Sequence, residues 1–150
     1  MSDNAELIKL YSGQILALAA DIPQTVRLDN PQATVKRRAP LCGSTVTVDI
    51  VLEDGKIAQF GQDVKACALG QAAASVVASR IIGRTASEIT KARDQLSAML
   101  RDGGPAPDAP FDGLKVLEPA REFKNRHASI LLALEATVEA IETAEKTACA

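Results

Sequence analysis

The stretch that decides the fold is residues 45–64, which read TVTVDIVLEDGKIAQFGQDV. Apolar residues recur at every second position from Val46 to Leu52, which is the pattern of a strand with one buried face. Asp54-Gly55 follows, and this dipeptide is typical of a hairpin turn because both positions favour positive φ. We therefore predict a strand over Thr45–Glu53 and a returning strand over Ile57–Val64.

Around this hairpin the sequence predicts one further strand and several helices. Ala33–Arg38 is typical of a first strand, which completes a small antiparallel sheet. Apolar residues at helical spacing predict a helix over Ala5–Ala20 before the sheet. After the sheet, one helix is expected to begin at Ala68. A second helix is expected to begin at a capping box formed by Thr85 and Glu88 and to end near Gly103-Gly104.

The C-terminal part continues the helical pattern. Residues 103–113 are predicted to form a surface loop, followed by a short helical turn over Leu114–Leu117 that stops at Glu118-Pro119. A long helix is expected from about Asn125 to Lys146, with a frayed tail. The prediction is an α+β fold in a single domain over residues 1–150: a helix, a three-stranded antiparallel sheet, then helices packed on one face.

The composition restricts the possible partners. Seventeen basic and nineteen acidic residues give a net charge of −2. Phosphate binding needs a concentrated positive face, so this balance argues against nucleic acid as a partner. The dense basic run, Lys36-Arg37-Arg38, is interpreted as a solvated strand end. No apolar run approaches the roughly 20 residues of a membrane span, and the first residues lack a signal pattern, so a cytoplasmic protein without membrane contact is expected.

The three cysteines are far apart, and an odd number does not form a disulfide framework. Cys42 is predicted in a turn just before the strong strand. Cys67 falls between the returning strand and the next helix, whose N-terminus favours the thiolate form that binds metals. The hairpin brings the ends of the paired strands together, so these two positions are expected to lie near each other in space. Cys149 lies in the tail and is expected to be an incidental thiol.

The only histidine, His127, stands at the start of the last helix. With Cys42 and Cys67 it makes a ligand set suited to zinc or iron. The alternative is structural, because free cysteine often packs as a buried residue and a lone histidine is often a satisfied boundary residue. No hydrolase or nucleotide-binding motif is present, so enzymatic activity is not expected. Four carboxylates of the hairpin are interpreted as mostly outward-facing sheet or turn residues: Asp49, Glu53, Asp54 and Asp63.

Two cysteine segments carry a family resemblance. Residues 66–75 read ACALGQAAAS, and Leu41-Cys42-Gly43 stands before a strand. With the hairpin, Gly83-Arg84-Thr85 and the opening helix around Tyr11, they resemble the NifU/IscU/SufU family of iron–sulfur cluster scaffolds. The insertion before the last helix points to SufU more than to IscU.

The resemblance implies a cluster or zinc ion held by three cysteines and an aspartate. Here Ser44 stands at the aspartate position. The third cysteine is replaced by Ala128 if the alignment follows His127, or by Ser129 if it follows Leu132-Ala133. The implied ligands are therefore Cys42 and Cys67, with His127 and Ser44 as further candidates. A 2Fe–2S cluster bridged between two protomers would restore four thiolates, so a homodimer is one possibility.

The function implied by the resemblance is that of a scaffold or carrier for iron or a 2Fe–2S cluster. Such a protein takes sulfur from a cysteine desulfurase and passes the cluster to acceptor proteins. Two alternatives stay open. One is a zinc-binding sulfur-transfer partner of the desulfurase, with Cys42 as the persulfide acceptor. The other is a binding module that kept the fold and lost the chemistry.

Overall fold

The computed structural model describes residues 12–40 and 43–149, with side chains up to residue 147. Its elements follow the predicted order, which confirms the α+β fold class. They are α1 (Gly13–Ala20), β1 (Ala33–Arg38), β2 (Thr45–Glu53), β3 (Lys56–Lys65), α2 (Ala68–Arg80), α3 (Ala86–Arg101), the 3₁₀ helices Asp112–Glu122 and Lys124–Arg126, and α4 (His127–Cys149).

The three strands form one antiparallel sheet in the order β1-β2-β3. Asp54 and Gly55 have φ angles of 53° and 75°, the left-handed values that a type I′ hairpin turn requires. Alternate residues of β2 point to opposite faces of the sheet, and Val46, Val48 and Ile50 are buried on the inner one. The predicted hairpin and its buried face are confirmed.

Helix α4 covers the inner face of the sheet and is the centre of the molecule. It packs against β1 and β2 on one side and against α2 and α3 on others. The small residues Ala136 and Ala140 are buried, and so are the larger apolar residues at helical spacing, Ile130, Leu131, Leu134, Val138 and Ile141. Small side chains let neighbouring elements approach closely, so the sheet and the two helices can pack around α4 on several sides.

The predicted helix Ala5–Ala20 is wrong at Ser12. Ser12 has an extended backbone, with φ −60° and ψ 163°, and its Oγ accepts a hydrogen bond from the N–H of Ile15 at 3.3 Å. A serine in this conformation is a helix N-cap, so α1 begins at Gly13. Residues 5–11 of the prediction lie outside the described ranges.

The segment before α4 also differs from the prediction. The expected stop at Glu118-Pro119 is wrong, because the first 3₁₀ helix runs on through Pro119 to Glu122. Leu114, Leu117 and Ala120 are all buried, and their spacing of three matches the three residues per turn of a 3₁₀ helix. The packing of this stripe against α2 and α3 compensates for the backbone hydrogen bond that Pro119 cannot donate. Helix α4 likewise continues past Lys146.

Among the residues described, no helix is both long and apolar enough to cross a membrane.

Candidate metal centre

Cys67 lies between the end of β3 and the start of α2. It is the residue before α2, with an extended backbone, and its side chain is half-buried. No side chain caps this end of α2. The first turn of a helix carries unpaired N–H groups and a partial positive charge. Cys67 therefore stands at the positive end of α2.

Ser44 reaches the same end of the sheet from the other strand of the hairpin. The next residue, Thr45, pairs with Lys65, two residues before Cys67. The loop before Ser44 is closed by hydrogen bonds from Ala39 N–H to Ser44 O at 2.8 Å and from Gly43 N–H to Ala39 O at 3.1 Å. Cys42 lies outside the described residues, so its predicted proximity to Cys67 stays a prediction.

Ser129 of α4 completes a three-residue cluster. Its Oγ lies 3.6 Å from Cys67 Sγ and donates a hydrogen bond to Ser44 Oγ at 3.0 Å. Ser129 and Ser44 are both buried. Three distant segments thus bring one thiol and two hydroxyls together, and we call Cys67, Ser129 and Ser44 the thiol–hydroxyl cluster.

Gly70 makes the close approach of Ser129 possible. A Cβ at Gly70 would lie 2.5 Å from Ser129 Oγ and 2.9 Å from the Cβ of Ala66. Any larger residue at this position of α2 would push α4 away from Cys67. The sequence suggested Ser129 only as one of two alignment choices, and it gave Gly70 no role. The signal for Ser129 was the alignment on Leu132-Ala133, and the signal for Gly70 was its place within residues 66–75, which resemble a ligand motif.

The spacing within the cluster is compatible with a shared metal ion. A thiolate and an oxygen bound to one tetrahedral ion at about 2.3 and 2.0 Å lie about 3.5 Å apart. The 3.6 Å between Cys67 Sγ and Ser129 Oγ is close to this value. The donor chemistry fits less well, because iron–sulfur clusters prefer thiolates and a neutral hydroxyl is a poor ligand.

His127 is held away from the cluster. Its Nε2 lies 3.0 Å from the carbonyl oxygen of Ala120 and 3.1 Å from that of Arg121. Carbonyl oxygens only accept hydrogen bonds, so Nε2 carries the proton. Two residues differ by about 200° around a helix, so His127 and Ser129 leave α4 on nearly opposite sides.

The surroundings of His127 also disfavour a cation. The ring lines a cavity together with Arg101, Lys124 and Ala128, so a metal ion on its other nitrogen would face two positive charges. The geometry favours Ser129 over His127 beside Cys67. A metal-binding role for His127 remains a prediction, and it would require the ring to turn.

Asp49 lies on the outer side of the sheet, but unlike the other three hairpin carboxylates it is covered by the loop before β1. It is fully buried and accepts hydrogen bonds from Arg27, from Thr34 Oγ1 at 2.7 Å and from the N–H of Leu28 at 3.1 Å. Opposite Asp49 in the sheet stands Gly61, where a Cβ would meet Val26 O at 2.5 Å. The loop before β1 therefore lies flat over this part of the sheet.

Hydrogen bonding decides the charge of Asp49. Burial has the largest single influence and by itself raises the pKa of this carboxyl. The hydrogen bonds from Arg27, Thr34 and the Leu28 amide, with the charge of Arg27, outweigh it and hold the pKa of Asp49 below its ordinary value. Asp49 is a structural anion that fixes the loop.

The other hairpin carboxylates, Glu53, Asp54 and Asp63, are exposed as expected. Within the described ranges, no group of three or more histidine, cysteine or acidic side chains is placed to hold a metal ion. Cys149 ends α4, and its side chain lies outside the described part.

Comparison with known proteins finds relatives of this chain. The crystal structure of the N-terminal part of a nitrogen-fixing NifU-like protein from Brucella abortus is 42% identical, with a TM-score of 0.91, over 94% of this chain and 98% of that one. A putative iron–sulfur cluster assembly scaffold protein for the SUF system from Fervidobacterium islandicum shares the fold, with a TM-score of 0.79 at 21% identity over 89% of this chain and 97% of that one.

In sequence, the iron–sulfur cluster assembly scaffold protein IscU of Thermotoga maritima is 24% identical over 133 residues, which cover 89% of this chain and 93% of that protein. No family model matches the chain.

Proposed function

The chain belongs to the NifU/IscU/SufU-like family, and we propose that it is an iron–sulfur cluster assembly scaffold or carrier whose cargo is iron or a 2Fe–2S cluster. The observation that carries the proposal is the thiol–hydroxyl cluster. The resemblance puts Cys67 at the family's second cysteine and Ser44 at its aspartate, and of the two alignments that give Ala128 or Ser129 at the third cysteine we propose the one with Ser129, whose Oγ lies beside Cys67.

The proposed ligands are Cys67 and Cys42. Both belong to segments that resemble ligand motifs, and in the sequence Cys42 is two residues before Ser44, whose Oγ is hydrogen-bonded to Ser129 beside Cys67. Two thiolates do not satisfy a 2Fe–2S cluster, which prefers four. We therefore propose that the cluster is shared by two protomers, each giving two cysteines.

Because two serines stand in place of a cysteine and an aspartate, we expect this site to bind iron less tightly than three cysteines and an aspartate would. Neutral oxygens replace two anionic donors, so the site carries less negative charge for iron. Such a site suits cargo that is passed on rather than kept. The proposed partners are a cysteine desulfurase, with Cys42 as the acceptor if sulfur arrives as persulfide, and cluster-acceptor proteins. No catalytic residue is proposed, because a scaffold binds and transfers its cargo.

Anaerobic reconstitution tests the proposal. The protein is incubated with ferric iron and sulfide, then desalted, and its absorption spectrum, iron, sulfide and molecular mass are measured. We expect a cluster in wild type, at one cluster per pair of chains, and its loss in Cys42→Ala and in Cys67→Ala. Cys149→Ala is the matched control, because it removes the same thiol from the end of α4, and it should load normally.

Two results would count against the function. One is wild-type protein that retains no stoichiometric cluster. The other is a cluster that persists in the Cys42→Ala/Cys67→Ala double variant. A parallel incubation with Zn²⁺ alone shows whether the same cysteines hold zinc in preference to the cluster.

A further inference from the structure

The basic run Lys36-Arg37-Arg38 is divided between two environments. Arg37 forms ion pairs with Glu135 at 3.3 Å and Glu139 at 3.4 Å, both on α4. Lys36 and Arg38 are exposed on the opposite side of the strand, because alternate residues of a strand point to opposite faces. The expectation of a wholly solvated strand end therefore holds for two of the three residues.

The sheet register adds a third cation to the outer side. Arg38 pairs with Thr45, which pairs with Lys65, so all three share one face. With strands about 4.8 Å apart, the Cα atoms of Arg38 and Lys65 are separated by roughly 10 Å. We call Lys36, Arg38 and Lys65 the basic face.

Two carboxylates share this side of the sheet and do not cancel its charge. Asp63 lies opposite Thr47, with a carboxylate oxygen 4.0 Å from Lys65 Nζ, and both side chains are largely exposed. An exposed pair at this distance is weak. Asp49 is neutralised by Arg27 and fully buried. The exposed part of the surface is therefore positive, on a chain whose net charge is −2.

The basic face borders the candidate metal centre. Lys65 is two residues from Cys67, at the end of the strand that leads to it. Arg38 begins the turn toward Gly43, and a Cβ on Gly43 would lie 3.6 Å from Arg38 Nη2. The exposed cations thus flank both chain segments that the proposed function assigns to cargo binding.

We propose that the basic face docks an acidic surface of the protein that exchanges sulfur or cluster with Cys67. The identity of this partner rests on the proposed function, whereas the charge preference rests on the sheet alone. Opposite charges raise association rates and orient the encounter. An acidic partner that binds to the basic face brings its own reactive group close to Cys67. Three cations are too few for firm binding to a polyanion such as nucleic acid.

Disulfide exchange at Cys67 tests this inference without any cluster. The background variant is Cys42→Ala/Cys149→Ala, which leaves Cys67 as the only one of the three cysteines. The probes are two peptides of equal length, one rich in glutamate and one rich in lysine, each with a cysteine activated as its pyridyl disulfide. The Cys67 thiolate attacks the peptide sulfur, a new S–S bond forms, and the pyridinethiolate leaves and is measured by its absorbance.

At low ionic strength we expect the glutamate peptide to react about tenfold faster than the lysine peptide. High salt should bring the ratio toward one, since exposed charges are screened. Arg38→Glu/Lys65→Glu should abolish or invert the preference. If that variant does not fold, the neutral pair Arg38→Gln/Lys65→Gln replaces it, and this pair should reduce the preference without reversing it. Lys56→Glu/Arg80→Glu is the control, with the same change in net charge at the ends of β3 and α2 away from Cys67.

Equal rates for the two peptides at low salt would overturn the inference, and so would a control variant that alters the ratio as much as the basic-face variant does. A dimer of the unmodified chain that dissociates in Arg38→Glu/Lys65→Glu would also overturn it, because it would assign this face to a second copy. A chain that loads no cluster but still prefers the acidic probe would lose the proposed function and keep the charged docking face.

Discussion

Replacing Ser129 by cysteine would place a thiol next to that of Cys67. The Oγ that it replaces lies 3.6 Å from Cys67 Sγ. Two thiolates on one tetrahedral Zn²⁺ at about 2.3 Å lie about 3.8 Å apart, so the side chain already stands near the spacing that chelation needs. We expect Ser129→Cys to bind Zn²⁺ more tightly than wild type does.

The size of the gain follows from two opposing contributions. Structural zinc sites with four ligands bind with about 10–16 kcal/mol, or roughly 3 kcal/mol per ligand. Sulfur is larger than oxygen, and Ser129 is only 1% exposed and pressed against Gly70, so overpacking costs about 1 kcal/mol. The difference of about 2 kcal/mol corresponds to an affinity about 30-fold higher.

Competition with a chromophoric zinc chelator, under reducing conditions and without oxygen, measures this affinity. The matched control is Ser87→Cys, which adds a thiol at an exposed position of α3, beside the turn end of the hairpin and away from Cys67. If Ser129→Cys binds Zn²⁺ within threefold of wild type, or if Ser87→Cys gains as much, then Ser129 does not stand at a ligand position and the metal-centre geometry is wrong.

Two further predictions concern the framework around the site. Gly70→Ala should lower the free energy of unfolding by about 1–3 kcal/mol, because its Cβ would lie 2.5 Å from Ser129 Oγ; urea denaturation measures this, and Gly13→Ala, which has nothing within 4 Å of the added Cβ, is the control that should show no such loss. Asp49→Asn should cost about 2–3 kcal/mol at neutral pH, since hydrogen bonds to a buried charge are lost, whereas Asp63→Asn on the exposed surface should change stability by less than about 0.5 kcal/mol. Because folding lowers the pKa of Asp49, its contribution is fully present above the unfolded value of about 3.9 and is lost as the pH falls through the folded value. The gap between wild type and Asp49→Asn should therefore shrink in acid, and a gap that stays constant down to the lowest pH at which both proteins fold would refute this assignment.

The elements with strong local signals were predicted closely from the sequence. The strand Thr45–Glu53 has the predicted bounds, and the Asp54-Gly55 turn has both positive φ angles. The capping box of Thr85 and Glu88 forms as expected. Each of these depends on neighbours within a few residues. By contrast, the helix start at Ser12 and the long 3₁₀ helix through Pro119 depend on competition between local hydrogen bonds and packing that the periodicity does not express.

The sequence by itself determined the fold class, the hairpin and the place of Cys67 between strand and helix, because alternation, turn chemistry and helix periodicity are encoded by nearby residues. It could not decide between His127 and Ser129, since that choice depends on which side of α4 faces α2. Only the tertiary structure showed which of the two lies beside Cys67: Gly70 lets Ser129 approach the thiol, while His127 Nε2 contacts the carbonyl groups of Ala120 and Arg121. The burial of Asp49 and the outward row of Lys36, Arg38 and Lys65 were likewise decided by loop docking and strand register, which join residues that are distant in sequence.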